Sequence, residues 1–324
     1  MLLGNPPYVN AIEGEGDERT KALTRHLHPV LKGTADLGYY FLSRCGDVAQ
    51  PASRIGLIVP RGFLNAPAAE DLRQWLLQRH RPNQLFVSTR ADLFAGAAVF
   101  ICALTLGPHE ECQVGEGDLP ASASWRRGPF RGTNWWKEFQ LILHDMAGEA
   151  AGAGTTLGEC FDIGASMTTG DAYELKPFID DDPDGPGQKL ITTGLIDPNC
   201  CFWGETRCRY LGEDFQHPRV RLPDFAPPSL QRRLEKSRRP KVLVAGLSSR
   251  IECFLDEQGE CVGAVSTWSI YHPADDLDAL RACCDFLLRE EQSTRFRLEL
   301  GGNAMGGGNT TMKKSFLMQL SVDF

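Results

Sequence analysis

Between residues 53 and 106 short apolar runs alternate with helical spacing, and this pattern constrains the fold more than any other part of the chain. Ser53-Arg54-Ile55-Gly56-Leu57-Ile58-Val59-Pro60 is a short apolar run closed by proline, which predicts a buried strand. Leu72, Trp75 and Leu76 recur at helical spacing, so residues 70–78 read as a helix that ends before Arg79-His80-Arg81-Pro82. Residues 83–88 and 97–106 read as two more strands, separated by Asp92-Leu93-Phe94-Ala95-Gly96. Upstream, the pattern predicts helices over residues 19–32 and 36–42, the second with its aromatic face inward. Strands alternating with helices imply an α/β layer.

A length of 324 residues suits two domains. Eleven cysteines are scattered, some inside apolar runs such as Phe100-Ile101-Cys102-Ala103-Leu104, and reduced thiols in a cytoplasm account for them most simply. The sequence has no signal-peptide pattern and no apolar run long enough to span a membrane, so a cytoplasmic location with no membrane partner is expected. The net charge of −8 argues mildly against a nucleic-acid partner. Its distribution argues the other way: residues 219–250 hold nine Lys or Arg and only two acids, Asp224 and Glu235. A local basic stretch of this kind fits either phosphate contact or a solvated helix face.

The tetrapeptide Asn5-Pro6-Pro7-Tyr8 says most about chemistry. Two prolines fix their own φ and bias the residue before each toward extended geometry. Neither carries an N–H, so the carbonyls of Asn5 and Pro6 can accept hydrogen bonds from a ligand. The Asn5 amide oxygen adds an acceptor and the Tyr8 ring a flat face. Together they can hold an exocyclic amino group by two acceptors while its ring stacks. Methylation of such an amine needs this, because its lone pair is delocalised and must be freed for attack.

Asn5-Pro6-Pro7-Tyr8 resembles the catalytic motif of S-adenosylmethionine-dependent amino methyltransferases, chiefly the adenine-specific DNA enzymes. Similar loops serve enzymes that methylate glutamine side chains in proteins or exocyclic amines in RNA. The order of loop, helix, strand ending in Ile58-Val59-Pro60, helix and two strands is similar to the second half of the gamma-class adenine methyltransferases. There an aromatic at the start of the last apolar strand forms the other wall of the base pocket, and Phe94 stands in that place. The resemblance thus implies that Asn5 and Pro6 hold the amino group of a flipped-out adenine while Tyr8 and Phe94 sandwich its ring. It implies in-line transfer of the methyl group with no covalent intermediate.

Residues 109–154 look irregular, interrupted by Trp125-Arg126-Arg127 and Trp135-Trp136-Lys137, and read as a connector. Arg beside Trp there suits either DNA backbone contact or packing. Beyond it, Leu157-Gly158-Glu159-Cys160 and Thr168-Thr169-Gly170 resemble the opening of the target-recognition domain of type IIG restriction–modification proteins, with Ala165-Ser166-Met167 replacing part of that pattern. Residues 241–251, 263–271 and 301–313 resemble the same domain.

The expected organisation is therefore the C-terminal half of a methyltransferase catalytic domain over 1–110, a connector over 111–154 and a DNA target-recognition domain over 155–324. The expected fold class is α/β, a partial Rossmann-like methyltransferase sheet followed by an α+β domain. Expected DNA contacts are Thr169, Arg232, Arg233, Arg238, Arg239, Lys241 and Arg250. Double-stranded DNA is the expected partner, in a restriction–modification or phage-defence setting.

Three other constellations carry less. Asp180, Asp182, Asp184 and Gly185 begin like a calcium loop, but Ile191 stands where the bidentate acid belongs. Cys200, Cys201 and Cys208 lack a second ligand pair for zinc, so no metal is expected. The glycines of residues 301–308 are followed by only sixteen residues, too few for the unit that would seat an adenosine. The gamma class places its cofactor loop before the Asn-Pro-Pro-Tyr motif, and here only Met1 to Gly4 precede it. An upstream polypeptide carrying that loop is therefore an expected partner. A catalytically silent DNA-binding module and a methyltransferase acting on RNA or protein glutamine remain the rival readings.

Overall fold

The structure, a computed structural model, describes residues 1–7, 31, 35–90, 92–94, 99–145, 154–301 and 309–322. Tyr8 and the helix expected over residues 19–32 lie outside the described residues, apart from Leu31. Contacts divide the chain into two compact units, Met1–Gly148 with Leu298–Gly306, and Glu149–Arg297 with Gly307–Phe324. Among the described residues no helix is long and apolar enough to cross a membrane.

The first unit is built on a sheet of β1 (Leu2–Gly4), β2 (Ile55–Pro60), β3 (Arg81–Ser88), β4 (Ile101–Gly107), β5 (Glu111–Gly117) and β6 (Ser124–Pro129). Its order is β1-β2-β4-β3-β5-β6. β1 and β2 are parallel, as are β3 and β5, while β4 runs antiparallel to both β2 and β3, and β6 to β5. Ile55, Leu57 and Val59 alternate along β2 and are buried, the period of two that a strand imposes.

Three helices belong with this sheet: α1 (Leu37–Val48), α2 (Glu70–Arg79) and α3 (Trp135–Leu143). Asp36 caps α1 by accepting the Gly38 N–H at 2.7 Å, and of the aromatics expected to face inward Tyr39 and Tyr40 are buried while Phe41 is exposed. Gly46 lets α1 approach α2, since a Cβ there would stand 2.5 Å from the Trp75 ring. Asn134 caps α3, which buries Trp135, Trp136 and Phe139. Phe63 joins them to α1, its ring 5.3 Å from Tyr39 and 5.4 Å from Trp135.

The segment read as an irregular connector is in fact ordered over residues 111–143, where it supplies β5, β6 and α3 to the first unit. The apolar content needed is small: Cys112 and Val114 in β5, with the aromatics of α3 closing over the sheet. Trp135 and Trp136 are core residues, and Trp125 rests on Phe86 at 6.2 Å.

In the second unit α4 (Leu157–Cys160) leads to β7 (Asp162–Ala165), α5 (Thr169–Leu175), β8 (Ile179–Asp181) and β9 (Gln188–Ile191). Two short antiparallel pairs follow, β10 (Ile196–Asp197) with β11 (Cys200–Cys201) and β12 (Cys208–Tyr210) with β13 (Glu213–Phe215). Then come β14 (Pro218–Val220), α6 (Pro228–Ser237), β15 (Lys241–Ala245), β16 (Leu247–Ser248), β17 (Cys253–Asp256), β18 (Cys261–Gly263) and β19 (Thr267–Tyr271). The chain ends through α7 (Leu277–Leu288), α8 (Glu290–Leu300), β20 (Thr310–Thr311) and α9 (Lys314–Met318). Two four-stranded sheets carry the unit, ordered β18-β9-β14-β8 and β17-β15-β19-β7. β15 is buried at every position and pairs antiparallel on both sides. The expected class, α/β with a partial Rossmann-like sheet and an α+β second part, is the one observed.

Candidate functional site

Strand direction decides which loops can meet. β1, β2, β3 and β5 all point the same way, so Asn5, Arg61, Thr89 and Asp118 follow their carboxyl ends along one edge of the sheet. β4 starts at that edge because it runs antiparallel, which brings the residue immediately ahead of Ile101, Phe100, to the same edge. In open α/β sheets, ligands bind outside the carboxyl ends of the strands.

The Asn5-Pro6-Pro7 loop is set by its flanks. β1 pairs Gly4 with Leu57, and a Cβ on Gly4 would come within 3.0 Å of the Leu57 side chain. Pro6 is buried, whereas Asn5 and Pro7 are exposed. Gly38, in the first turn of α1, lies beside the prolines: a Cβ there would make ordinary contact with Pro6 Cγ at 3.6 Å and the Pro7 carbonyl oxygen at 3.7 Å, its tight approach being to Asp36 Oδ1 at 3.0 Å. The motif thus rests against the capped start of α1. Phe94 is half-buried.

Arginines stiffen the rest of the edge. The Arg61 N–H donates to the Phe100 carbonyl at 2.8 Å, and its guanidinium lies 4.1 Å from the Phe100 ring centroid. Burial lowers the Arg61 pKa, opposed by the charge of Glu116, whose own carboxyl burial pushes up. Arg73, buried in α2, donates to the carbonyls of Phe63 at 2.6 Å, Ala66 at 2.9 Å and Thr133 at 2.5 Å. It locks the turn after β2, and desolvation lowers its pKa to about 10. Neither arginine carries a sequence signature of its buried role.

In the second unit the expected DNA contacts fare unequally. Lys241 is a correction: its side chain is fully buried in β15, 2.5 Å from Asp256, with further bonds to the carbonyls of Ser237 and Arg239. All three ammonium protons are used internally, so no phosphate can reach it. Arg233 is tied to Asp171 at 2.8 Å, Arg239 to Asp275 at 2.7 Å, and Arg250 to Asp197 and Glu252 at 3.1 and 3.4 Å. Arg238 pairs with Glu235 at 3.2 Å while staying exposed. Arg232 is exposed on α6 and makes no ion pair among the described residues. Thr169 is exposed as the first residue of α5, one place after the Thr168 cap. The basic stretch is therefore mostly a set of structural ion pairs, with Arg221, Arg232 and Arg238 left facing solvent.

Residues 1–94 match the family model described as the Eco57I restriction-modification methylase. Among solved structures the chain is similar to the Type IIL restriction-modification enzyme MmeI in complex with DNA, at 13% identity and a TM-score of 0.53, over 82% of this chain and 40% of that one. It is also similar to the type IIG restriction endonuclease BpuSI, at 12% identity and a TM-score of 0.40, over 99% of this chain and 47% of that one. This chain thus spans less than half the length of either protein. A search of curated proteins finds no match. The likeness to MmeI is one of fold, and residues 1–94, which carry the Asn5-Pro6-Pro7 loop, match a methylase of restriction–modification systems.

Proposed function

We propose that this chain is the base-pocket and DNA-reading portion of an adenine-specific DNA methyltransferase of a restriction–modification system. The observation that carries the reading is the seating of Asn5-Pro6-Pro7 at the carboxyl edge of a mixed sheet, in a segment that matches a restriction-modification methylase. The Asn5 side chain and the Pro6 carbonyl accept the two N–H bonds of a flipped adenine amine, which draws its lone pair out of conjugation. Tyr8 and Phe94 are the stacking walls. S-adenosylmethionine supplies an electrophilic methyl group when bound. Among the described residues no strand–glycine turn–helix unit stands at this edge to seat its adenosine, so these residues account for the acceptor side alone. A polypeptide carrying the cofactor loop is the proposed partner for the other side.

The same observation supports a second reading, a DNA-binding module that transfers no methyl group by itself. Thr169, Arg232 and Arg238 remain as proposed phosphate contacts in both. Arg233, Arg239 and Arg250 act there through the loops they hold.

Competition binding separates DNA readers from the RNA and protein-glutamine alternatives. Duplex DNA is expected to displace a labelled duplex, with affinity falling steeply as salt rises. Equal competition by structured RNA or by a glutamine peptide would contradict both DNA readings.

A further inference from the structure

A groove of about 710 Å³ opens in the second unit between the Gly187 turn, the loop after β14 and one face of α6. Among its walls are Arg221, Asp224, Gln231, Glu235 and Arg238. Its architecture is that of a rigid frame. Gln231 donates its amide to the carbonyls of Asp224 at 2.9 Å and Ala226 at 3.0 Å, and the Ala226 N–H closes a turn onto the Pro223 carbonyl at 3.0 Å. Pro223, Pro227 and Pro228 add fixed φ angles. On the opposite wall, Gly187 has φ +117°, and a Cβ there would lie 2.3 Å from the Val220 carbonyl oxygen. Arg219 clamps that wall through the carbonyls of Asp182, Pro183 and Gly187.

The frame holds side chains that are not consumed by the fold. The Arg221 guanidinium and the Asp224 carboxylate are exposed and bond to no other described residue. Phe225 projects from the same loop at 84% exposure, its ring centroid 6.3 Å from that of Phe178 in an edge-on arrangement. The signs of charge then choose the partner's chemistry. Arg221 and Arg238 are balanced by Asp224 and Glu235, so the groove is formally neutral. A path for phosphates would carry net positive charge. A rigid row that mixes donors, acceptors and an apolar ring instead matches the edges of base pairs, where arginine suits guanine, a carboxylate suits the cytosine amine, and an apolar group suits the thymine methyl.

We propose that the loop of residues 221–226, with the groove beside it, reads base edges of duplex DNA and sets part of the recognised sequence, an inference that rests on the DNA-binding reading above. The test is selection of preferred sites from a randomised duplex pool, using the full chain as unaltered protein, Arg221→Ala, Asp224→Asn, Phe225→Ala and, as a phosphate-contact comparison, Arg232→Ala. Thermal melts of each confirm folding. Arg221→Ala and Asp224→Asn are expected to relax preference at one or two positions by about tenfold, with the salt slope unchanged. Phe225→Ala is expected to weaken the selected site more than random duplex. Arg232→Ala is expected to weaken all sequences alike and flatten the slope by about one unit. Preferences that stay unchanged in the loop variants, or a uniform loss with a flattened slope, would overturn the proposal while leaving DNA binding intact. Failure of the unaltered protein to bind any duplex would overturn the functional reading and this one with it.

Discussion

Lys241 shows how one residue's surroundings outweigh its charge. In sequence it is one of nine cations between residues 219 and 250, but it opens Lys241-Val242-Leu243-Val244-Ala245, a run with no alternation. An unbroken apolar run marks a strand buried on both faces, and that was the legible sign that its first residue is internal. Asp256, its partner, lies on the neighbouring strand, a pairing that no local pattern announces. Removing one member leaves an uncompensated buried charge, so Lys241→Met is expected to cost about 3–5 kcal/mol of stability in urea denaturation. The salt slope of DNA binding is expected to stay as it is, unlike that of Arg232→Ala; a flattened slope would restore Lys241 as a phosphate ligand. Asp171 gives a pH-dependent counterpart. Burial pushes its pKa up, but hydrogen bonds from the Thr168 hydroxyl and N–H, with the charge of Arg233, outweigh that and hold it below its ordinary 3.8. A depressed carboxyl stabilises the fold fully above its unfolded value and loses that contribution as pH falls through the folded one. Asp171→Asn is therefore expected to lower the urea midpoint near neutrality and to shrink its fall between pH 4 and acid, by fluorescence-monitored melts.

At the scale of elements, legibility followed apolar content. β2, α1 and α2 were plain, because Ile55, Leu57 and Val59 alternate and the helices bury one face each. β5, with the sequence Glu-Cys-Gln-Val-Gly-Glu-Gly, was not. It is held by parallel pairing to β3 and antiparallel pairing to β6, and those backbone bonds leave no mark on composition. Tertiary context likewise fixes the turn before β18. Gly259 sits at φ +66°, and a Cβ would fall 1.8 Å from the Arg238 carbonyl oxygen. That position packs the connection between β17 and β18, which lie in different sheets, against the end of α6. Gly259→Ala is expected to destabilise the second unit by about 2 kcal/mol or more, through both the positive φ and the backbone clash. Denaturation followed by hydrogen exchange would locate the loss, and an unchanged midpoint would show that the turn can move.

For the whole molecule, the α/β alternation was readable because buried strands use distinctive residue types. The groove beside α6 was not, since Arg221, Asp224 and Phe225 look like ordinary loop residues until Gln231 and Gly187 fix the frame around them. The account makes the Asn5 edge the acceptor side of a methyl transfer to adenine and the second unit the reader of its surroundings. The most direct measurement is methyl transfer from labelled S-adenosylmethionine to adenine-containing duplex DNA by the chain supplied with the polypeptide that carries the cofactor loop, read by nucleoside mass spectrometry, with Asn5→Ala beside the unaltered chain. The account predicts label on the adenine N6 amine that Asn5→Ala reduces on the order of 100-fold, the usual scale for losing one positioned hydrogen-bonding group at a reacting centre. Label that persists in Asn5→Ala, or that appears on cytosine, RNA or glutamine, would contradict it.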